Sequence, residues 1–386
     1  MNVSPRQAWW SRRVTLATLT CLTLAGAVLP AQSALAAPAR AAKPVDQLTA
    51  VSCPSKRMCV AVGTTHLGQG MLAERWNGRR WATMRLAQPT GGTGSLDGVS
   101  CTSARACTAV GWGPGGTLAE RWNGSTWRIQ PTPSPGGDGI PFAAVSCGSA
   151  ASCTVVGYYS FNDLGFTNNT LAEHWDGQAW SMQSLPPAGN IGGDLGSISC
   201  RPSACTAVGY INGQSDEGPG TAPLAMRWNG TAWALQPTPG DATQNETSGL
   251  TGVSCPSARS CTAVGVSDQG GPLILRWNGT TWHSQAVTNV ALNYALSAVS
   301  CTSATACMAI GSDAAARWNG RTWSSRRIRV PSGAHSLTLS AVSCSSASRC
   351  TAVGFKNITV SQVKDILTVA ERWNGHTWAA QATRSP

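Results

Sequence analysis

The chain is poor in charge and in two of the three aromatic residues. Charged residues fill 12% of its 386 positions, and Tyr and Phe occur four times each. Its 28 basic residues outnumber 17 acidic ones but are scattered, whereas a nucleic-acid binder gathers Lys and Arg into a stripe. No nucleic-acid partner is expected. Long apolar runs are missing after residue 36, and the one early run, Val14–Pro30, falls short of the roughly 20 residues of a membrane helix. That argues against membrane insertion. Apolar residues show no helical periodicity. The five histidines (His66, His174, His283, His335, His376) follow no ligand pattern, so neither a metal nor another cofactor is expected.

The early apolar run has a basic start (Arg6, Arg12, Arg13) and ends near Ala34-Leu35-Ala36, the small-x-small pattern of a cleavage site. Residues 1–36 therefore read as a signal peptide, 37–47 as a linker and 48–386 as the folded domain of a secreted, monomeric protein. The segment Ser11–Leu16 (SRRVTL) partly resembles a twin-arginine leader, and both export routes stay open. Cys21 goes with the leader.

What the chain has in plenty is repetition. The remaining 14 cysteines form seven local pairs: Cys53/Cys59, Cys101/Cys107, Cys147/Cys153, Cys200/Cys205, Cys255/Cys261, Cys301/Cys307 and Cys344/Cys350. A tryptophan pair follows each: Trp76/Trp81, Trp122/Trp127, Trp175/Trp180, Trp228/Trp233, Trp277/Trp282, Trp318/Trp323 and Trp373/Trp378. No histidine recurs beside the cysteines, so disulfides in an exported protein are the expected use. Each would close a short loop, worth roughly 2–2.5 kcal/mol by chain entropy. Such a staple is expected to bracket a turn and fix its own unit, without tying one unit to the next.

Within a unit, Ala-Val-Ser-Cys and Cys-Thr-Ala-Val-Gly read as strands a and b buried on both faces. Leu-Ala-Glu-Arg-Trp reads as strand c, and the second Trp opens strand d. Between them Asn-Gly predicts a two-residue type I′ turn, which sets Trp76 opposite Arg79 and Glu74 opposite Trp81. Seven such units predict an all-β, seven-bladed β-propeller with four antiparallel strands and one disulfide per blade; an open β-solenoid is the alternative. The unit resembles a kelch- or Asp-box-type blade: Val-Gly closes strand b where kelch blades carry a glycine pair, and Trp-Asn-Gly-x-x-Trp sits at the Asp-box turn. It departs from both, with one glycine instead of two and a turn one residue tighter. The chain is also similar to cysteine-rich secreted repeat proteins of actinobacteria. The resemblance implies a fold, and one fold serves many functions.

Because both Trp residues recur in every unit, packing between blades is their expected role, with sugar stacking as the alternative. Glu and Arg adjoin on strand c (Glu74-Arg75, Glu120-Arg121, Glu371-Arg372; unit three has Glu173-His174). Adjacent strand residues face opposite sides, and each Glu is expected to pair with an Arg of the neighbouring blade.

An up-and-down blade places the a–b and c–d turns on one face of the disc and the b–c loops and d–a linkers on the other. The second face is the variable one, and its longest b–c loops are Tyr158–Asn169 and Tyr210–Pro223. The expected ligand-binding residues lie there: Trp112, Tyr158, Tyr159, Phe161, Asp163, Tyr210, Asp216, Glu217 and Phe355. Acidic residues (Asp138, Asp194, Asp241, Glu246, Asp268, Asp313 and Asp365 among them) collect on the same face. Lys56, Arg57, Arg79, Arg80, Arg105, Arg259, Arg321 and Arg349 map to the turn face. Rings beside carboxylates suit a glycan, so a non-enzymatic module for extracellular glycan, cell-wall polymer or protein is the leading expectation. The alternative is an Asp-box-type glycoside hydrolase or lyase using variable-face carboxylates such as Asp163 and Asp216. A kelch-like copper oxidase would need a free cysteine beside tyrosine.

Overall fold

The computed structural model describes residues 45–384 apart from 66–69, 136–140, 161–167, 190–191, 216–217, 240–246, 289–294 and 361–362. The expected leader and most of the linker lie outside the described residues. Seven sheets follow one another along the chain, each built of four antiparallel strands in the order a–b–c–d. In blade 1 these are Gln47–Ser55, Met58–Thr65, Gly70–Trp76 and Trp81–Thr83. Blade 6 carries an extra two-residue strand, Val287–Thr288, parallel to its strand d, Trp323–Arg327. The chain is a seven-bladed propeller, as expected.

Strand b explains why the apolar runs are continuous. In blade 1, Val60 and Val62 pack into the core shared with blade 2, beside Leu96 and Val99. The intervening Ala61 packs into the core shared with blade 7, beside Val353. A strand sandwiched between two neighbours needs apolar side chains at both parities. No residue of Val60–Val62 has any exposed surface.

The Ser-Cys pair of strand a ties the hub. Each Cys backbone N–H donates to the Ser hydroxyl of the preceding blade at 2.9–3.0 Å, from Cys101 to Ser52 round to Cys344 and Ser300. Cys53 N–H closes the circle on Ser343 at 2.9 Å. Among the described residues no strand crosses between the first and last blades. Hydrogen bonds and packing close the ring instead: Trp81 Nε1 donates to Gln381 Oε1, and Asp46 N to Ile366 O.

All 14 repeat cysteines are disulfide-bonded in the expected local pairs: Cys53–Cys59, Cys101–Cys107, Cys147–Cys153, Cys200–Cys205, Cys255–Cys261, Cys301–Cys307 and Cys344–Cys350. The structure corrects what the staples touch. The second cysteine of every pair (Cys59, Cys107, Cys153, Cys205, Cys261, Cys307, Cys350) is buried, so none serves as an exposed site. Each packs on strand b of the preceding blade, so the staple acts between blades as well as within one. Hydroxyls of Thr351, Thr108, Thr154, Thr206 and Thr262 donate to the sulfurs of Cys59, Cys153, Cys205, Cys261 and Cys307 at 3.5–3.8 Å. Cys107 and Cys350 meet apolar side chains instead, because Val60 and Met308 hold the threonine position before them. Cysteine spacing reports the local pairing and carries no information about this contact one repeat away.

The c–d turn differs from the expected one. Trp76 pairs directly with Trp81 and Glu74 with Thr83, around a four-residue loop. The cause is the Asn77 side chain, whose Oδ1 accepts from the N–H groups of Arg79 and Arg80, both at 3.0 Å, an Asx turn that lengthens the loop. Gly78 takes the positive φ of 95° that this loop demands. Asp176 does the same work in blade 3, and the two N–H donors hold its carboxyl below the ordinary value. With each Trp pair directly opposed, ring centroids lie 5.6–5.9 Å apart in all seven blades. The rings pack against the preceding blade, which makes them structural cement.

The Tyr210–Pro223 segment is also different: it is a hairpin, not a loop. Strands Ala204–Ser215 and Gly218–Trp228 pair out to Ser215 and Gly218. Both sides of the ribbon are held by linkers, through Asn212 N to Gly192 O and through the Thr221–Thr247 bridge. These bonds offset the weak strand preference of a Gly/Pro-rich sequence. Blade 7 extends a similar hairpin, Arg349–Val360 with Val363–Trp373. In blade 3, Tyr158–Ser160 and Asn168–Asn169 likewise belong to paired strands.

Candidate functional site

The two faces sort as connectivity predicts. Every c–d glycine from Gly78 to Gly375 sits against the a–b turn of its own blade, Gly78 beside Arg57 and Gly124 beside Arg105. The basic residues expected on the turn face are all exposed. Strand a therefore starts, and strand b ends, at the opposite, variable face.

There, blades 2 to 4 bring together two tyrosines and two carboxylates. Asp194 and Tyr210 face each other across strands a (Gly193–Arg201) and b of blade 4, and the phenol donates to Asp194 Oδ2. Asp194 is 7% exposed. Burial raises its carboxyl, while bonds from Tyr210 and Asn168 oppose the rise. Burial and then the Asp194 carboxylate push the Tyr210 phenol up. Tyr158 of blade 3 shares the parity of Val156, which packs in the core with blade 4. Burial raises the Tyr158 phenol, and the charges of Asp194 and Asp97 add to the effect, so both carboxylates stand near it.

Asp97 is the member that sequence reasoning missed. It sits at a β-bulge between Leu96 and Gly98 on strand a of blade 2. The corresponding positions of blades 1, 5 and 6 hold Thr49, Thr251 and Ser297, whose hydroxyls donate to the next blade at Leu96 O, Leu296 O and Leu339 O. A carboxylate cannot donate that bond. Asp97 instead accepts from the Ser95 hydroxyl at 2.9 Å, and burial raises its carboxyl. The signal in the sequence is that the equivalent positions of the other units, Thr49, Ala143, Gly196, Thr251, Ser297 and Ser340, carry no acid.

The remaining expected residues scatter. Trp112 pairs with Ser95 at the end of strand b in blade 2 and is half-buried. Tyr159, one residue past Tyr158, turns the other way and packs in the core between blades 2 and 3. It also lines a groove of about 610 Å³ with Met182 and the Ser184–Gly189 linker. Phe355 pairs with Thr338 and Thr368 in blade 7, away from blades 3 and 4. Phe161, Asp163, Asp216 and Glu217 lie outside the described residues, as do Asp138, Asp241 and Glu246.

The strand-c Glu–Arg pattern resolves differently from the expected ion pairs. The two side chains do face opposite sides, but among the described residues no strand-c Glu forms a salt bridge with a strand-c Arg of a neighbouring blade. Glu120 Oε2 accepts from Ala87 N at 3.1 Å, and Glu74 Oε2 from Arg384 N at 3.2 Å. These two glutamates cap the chain leaving the preceding blade, six residues after its second Trp. Burial lifts Glu74, Glu120 and Glu371 to about 7. Glu173 rises furthest, to about 8. Its capping position is Pro133, which has no N–H, and both carboxyl oxygens lack a hydrogen bond among the described residues. Pro186 and Pro239 hold the same position before blades 4 and 5, where Met226 and Leu275 replace Glu.

The arginines reach the next blade. Arg121, Arg227, Arg276 and Arg372 stack on Trp175, Trp277, Trp318 and Trp76 at 4.5–5.4 Å from the ring centroids. Their guanidiniums also donate to the a–b turn carbonyls of Ala150, Ala258, Ala304 and Lys56. Burial holds all four below the ordinary arginine value. Among the described residues no such stack forms at junctions 1/2, 3/4 and 6/7. Grooves of about 810, 410 and 450 Å³ lie there.

No family model matches the sequence, and no curated protein matches it. Solved structures do. "YCF48 bound to D1 peptide" superposes with a TM-score of 0.52 at 16% identity, covering 83% of this chain and 94% of that one. YCF48 from Cyanidioschyzon merolae gives 0.52 at 14% identity over 86% and 99% of the two chains. The structure of U3-55K gives 0.54 at 9% identity over 81% and 91%. At such identities the likeness shows the propeller fold alone.

Proposed function

We infer that the chain is a secreted, non-enzymatic binding propeller that recognises an extracellular glycan, cell-wall polymer or protein through the b–c and d–a face of blades 2–4. The observation that carries this reading is the Asp97–Tyr158–Asp194–Tyr210 cluster, contributed by three consecutive blades and anchored on paired strands. A site framed by strands is held more rigidly than one on loops. Its carboxylates accept hydroxyl protons, and its phenols offer faces for sugar C–H groups. Two further features support export: the leader-like first 36 residues and seven disulfides.

The test is titration of the disulfide-intact chain with a panel of cell-wall polysaccharides, scoring binding and reducing-end release together. Binding without release is expected, weakened at least tenfold in Tyr158→Ala and Tyr210→Ala. Release that disappears in Asp194→Asn or Asp97→Asn would overturn the reading in favour of glycoside hydrolysis.

A further inference from the structure

We propose that the groove between blades 1 and 2, on the turn-face side, is a second binding site, and that it takes a carboxylate-bearing sugar of an acidic polysaccharide. The site is independent of the variable-face cluster and opposite to it in charge.

Four junctions are closed. At each, one guanidinium fills the space above the next blade's first Trp and ends on a carbonyl. Blade 1 supplies the same residue, Arg75, and blade 2 the same ring, Trp122. Yet Arg75 makes no hydrogen bond or ion pair among the described residues, and its Nε is buried without a partner. Trp122, left uncovered, is half-buried, whereas Trp175, Trp277, Trp318 and Trp76 are buried. The volume that the stack would occupy is open, about 810 Å³, a size that suits a small ligand.

The lining sets the chemistry. Arg75 and Arg85 are cationic, the half-buried Trp122 supplies ring surface, and no Asp or Glu lines the groove. A guanidinium with no protein acceptor takes an ionised one best. A planar guanidinium matches a carboxylate edge to edge, and the adjoining indole presents its face to the C–H side of the ring that bears that carboxylate. A uronate unit supplies both. The grooves at junctions 3/4 and 6/7 are smaller and also cationic, with Trp228 half-buried and Trp373 buried. One pairs His174 and Arg201 with Trp228, the other Arg317 and Arg326 with Trp373, again without Asp or Glu. A polymer could thus engage one disc at more than one point.

The test is calorimetric titration of the disulfide-intact chain with trigalacturonic acid, with maltotriose as the neutral control and a sulfated trisaccharide as the non-planar anion. The expected result is binding of trigalacturonic acid alone. Arg75→Gln and Trp122→Leu should each weaken it at least tenfold, Arg75→Lys should restore only part of it, and Tyr158→Ala and Tyr210→Ala should leave it unchanged. Because Arg75 has no partner to lose, Arg75→Gln should melt at the parent temperature, which keeps the binding readout clean. Wild-type affinity in Arg75→Gln, full rescue by Arg75→Lys, or equal affinity for the sulfated sugar would overturn the proposal. Loss of binding in the tyrosine variants instead would move the ligand to the variable face.

Discussion

Junctions 7/1 and 1/2 start from the same parts and end differently. Both offer an arginine on strand c of one blade and a tryptophan pair on the next. At 7/1, Arg372 lies 5.2 Å from the Trp76 ring and donates to Lys56 O at 2.7 Å, and Trp81 Nε1 finds Gln381 Oε1 at 3.1 Å. At 1/2, among the described residues, Arg75 has no such bond and Trp127 Nε1 is buried without a partner. The residue of blade 1 that corresponds to Gln381 is Met84, three places after the second Trp, and it cannot accept that bond well. The same repeated phrase closes one junction with a cation–π clamp and leaves an open groove at the other.

The comparison can be broken most strongly at the closed side. Arg372→Ala should cost about 2 kcal/mol, from a partly buried cation–π stack and a charged hydrogen bond. Arg75→Ala should stay within about 0.5 kcal/mol of the parent. Urea unfolding of the two variants side by side decides it, and equal losses would refute the distinction. Next in size is Glu173, the acid between blades 2 and 3. Burial lifts its carboxyl from 4.5 to about 8, so the folded state prefers the protonated form. Stability from this group is complete below about pH 4.5 and is lost as pH rises through about 8. Glu173→Gln should therefore melt like the parent at pH 4 and gain on the order of 2 kcal/mol at pH 8. The smallest effect sharpens the open side: Met84→Gln should supply the Trp127 acceptor and gain about 1 kcal/mol, seen as a modest rise in melting temperature.

Some of this was open to reading in advance. Seven Cys and Trp pairs, with Val-Gly endings and no helical period, fix blade number, strand order and disulfide pairing, because these depend on contacts close in sequence. The sorting of turns and loops onto two faces follows from connectivity. Tyr158 and Tyr210 were legible as aromatic residues just past the strand-b glycine. Asp97 was not, since its meaning depends on a bulge that only a unit-by-unit comparison reveals. The c–d turn was misread because Asn-Gly fits a two-residue turn as well as an Asx turn. The Asn77 side chain decides between them by taking two backbone N–H groups.

By itself, the sequence determined the repeat, and with it the blade, the staple and the paired Trp rings, since each is local and recurs seven times. Only the tertiary structure decided what faces what. It showed that the Ser-Cys pair of the hub joins neighbouring blades into a closed circle, and that each staple's second sulfur rests on the blade before it. It turned Glu towards the preceding blade's backbone and Arg towards the next blade's ring. It also left junction 1/2 open while closing 7/1. The physical reason is that each of these contacts joins residues roughly one repeat apart, or at opposite ends of the chain. Its partner is a backbone group, a side chain or a ring surface whose position exists only once the disc has closed.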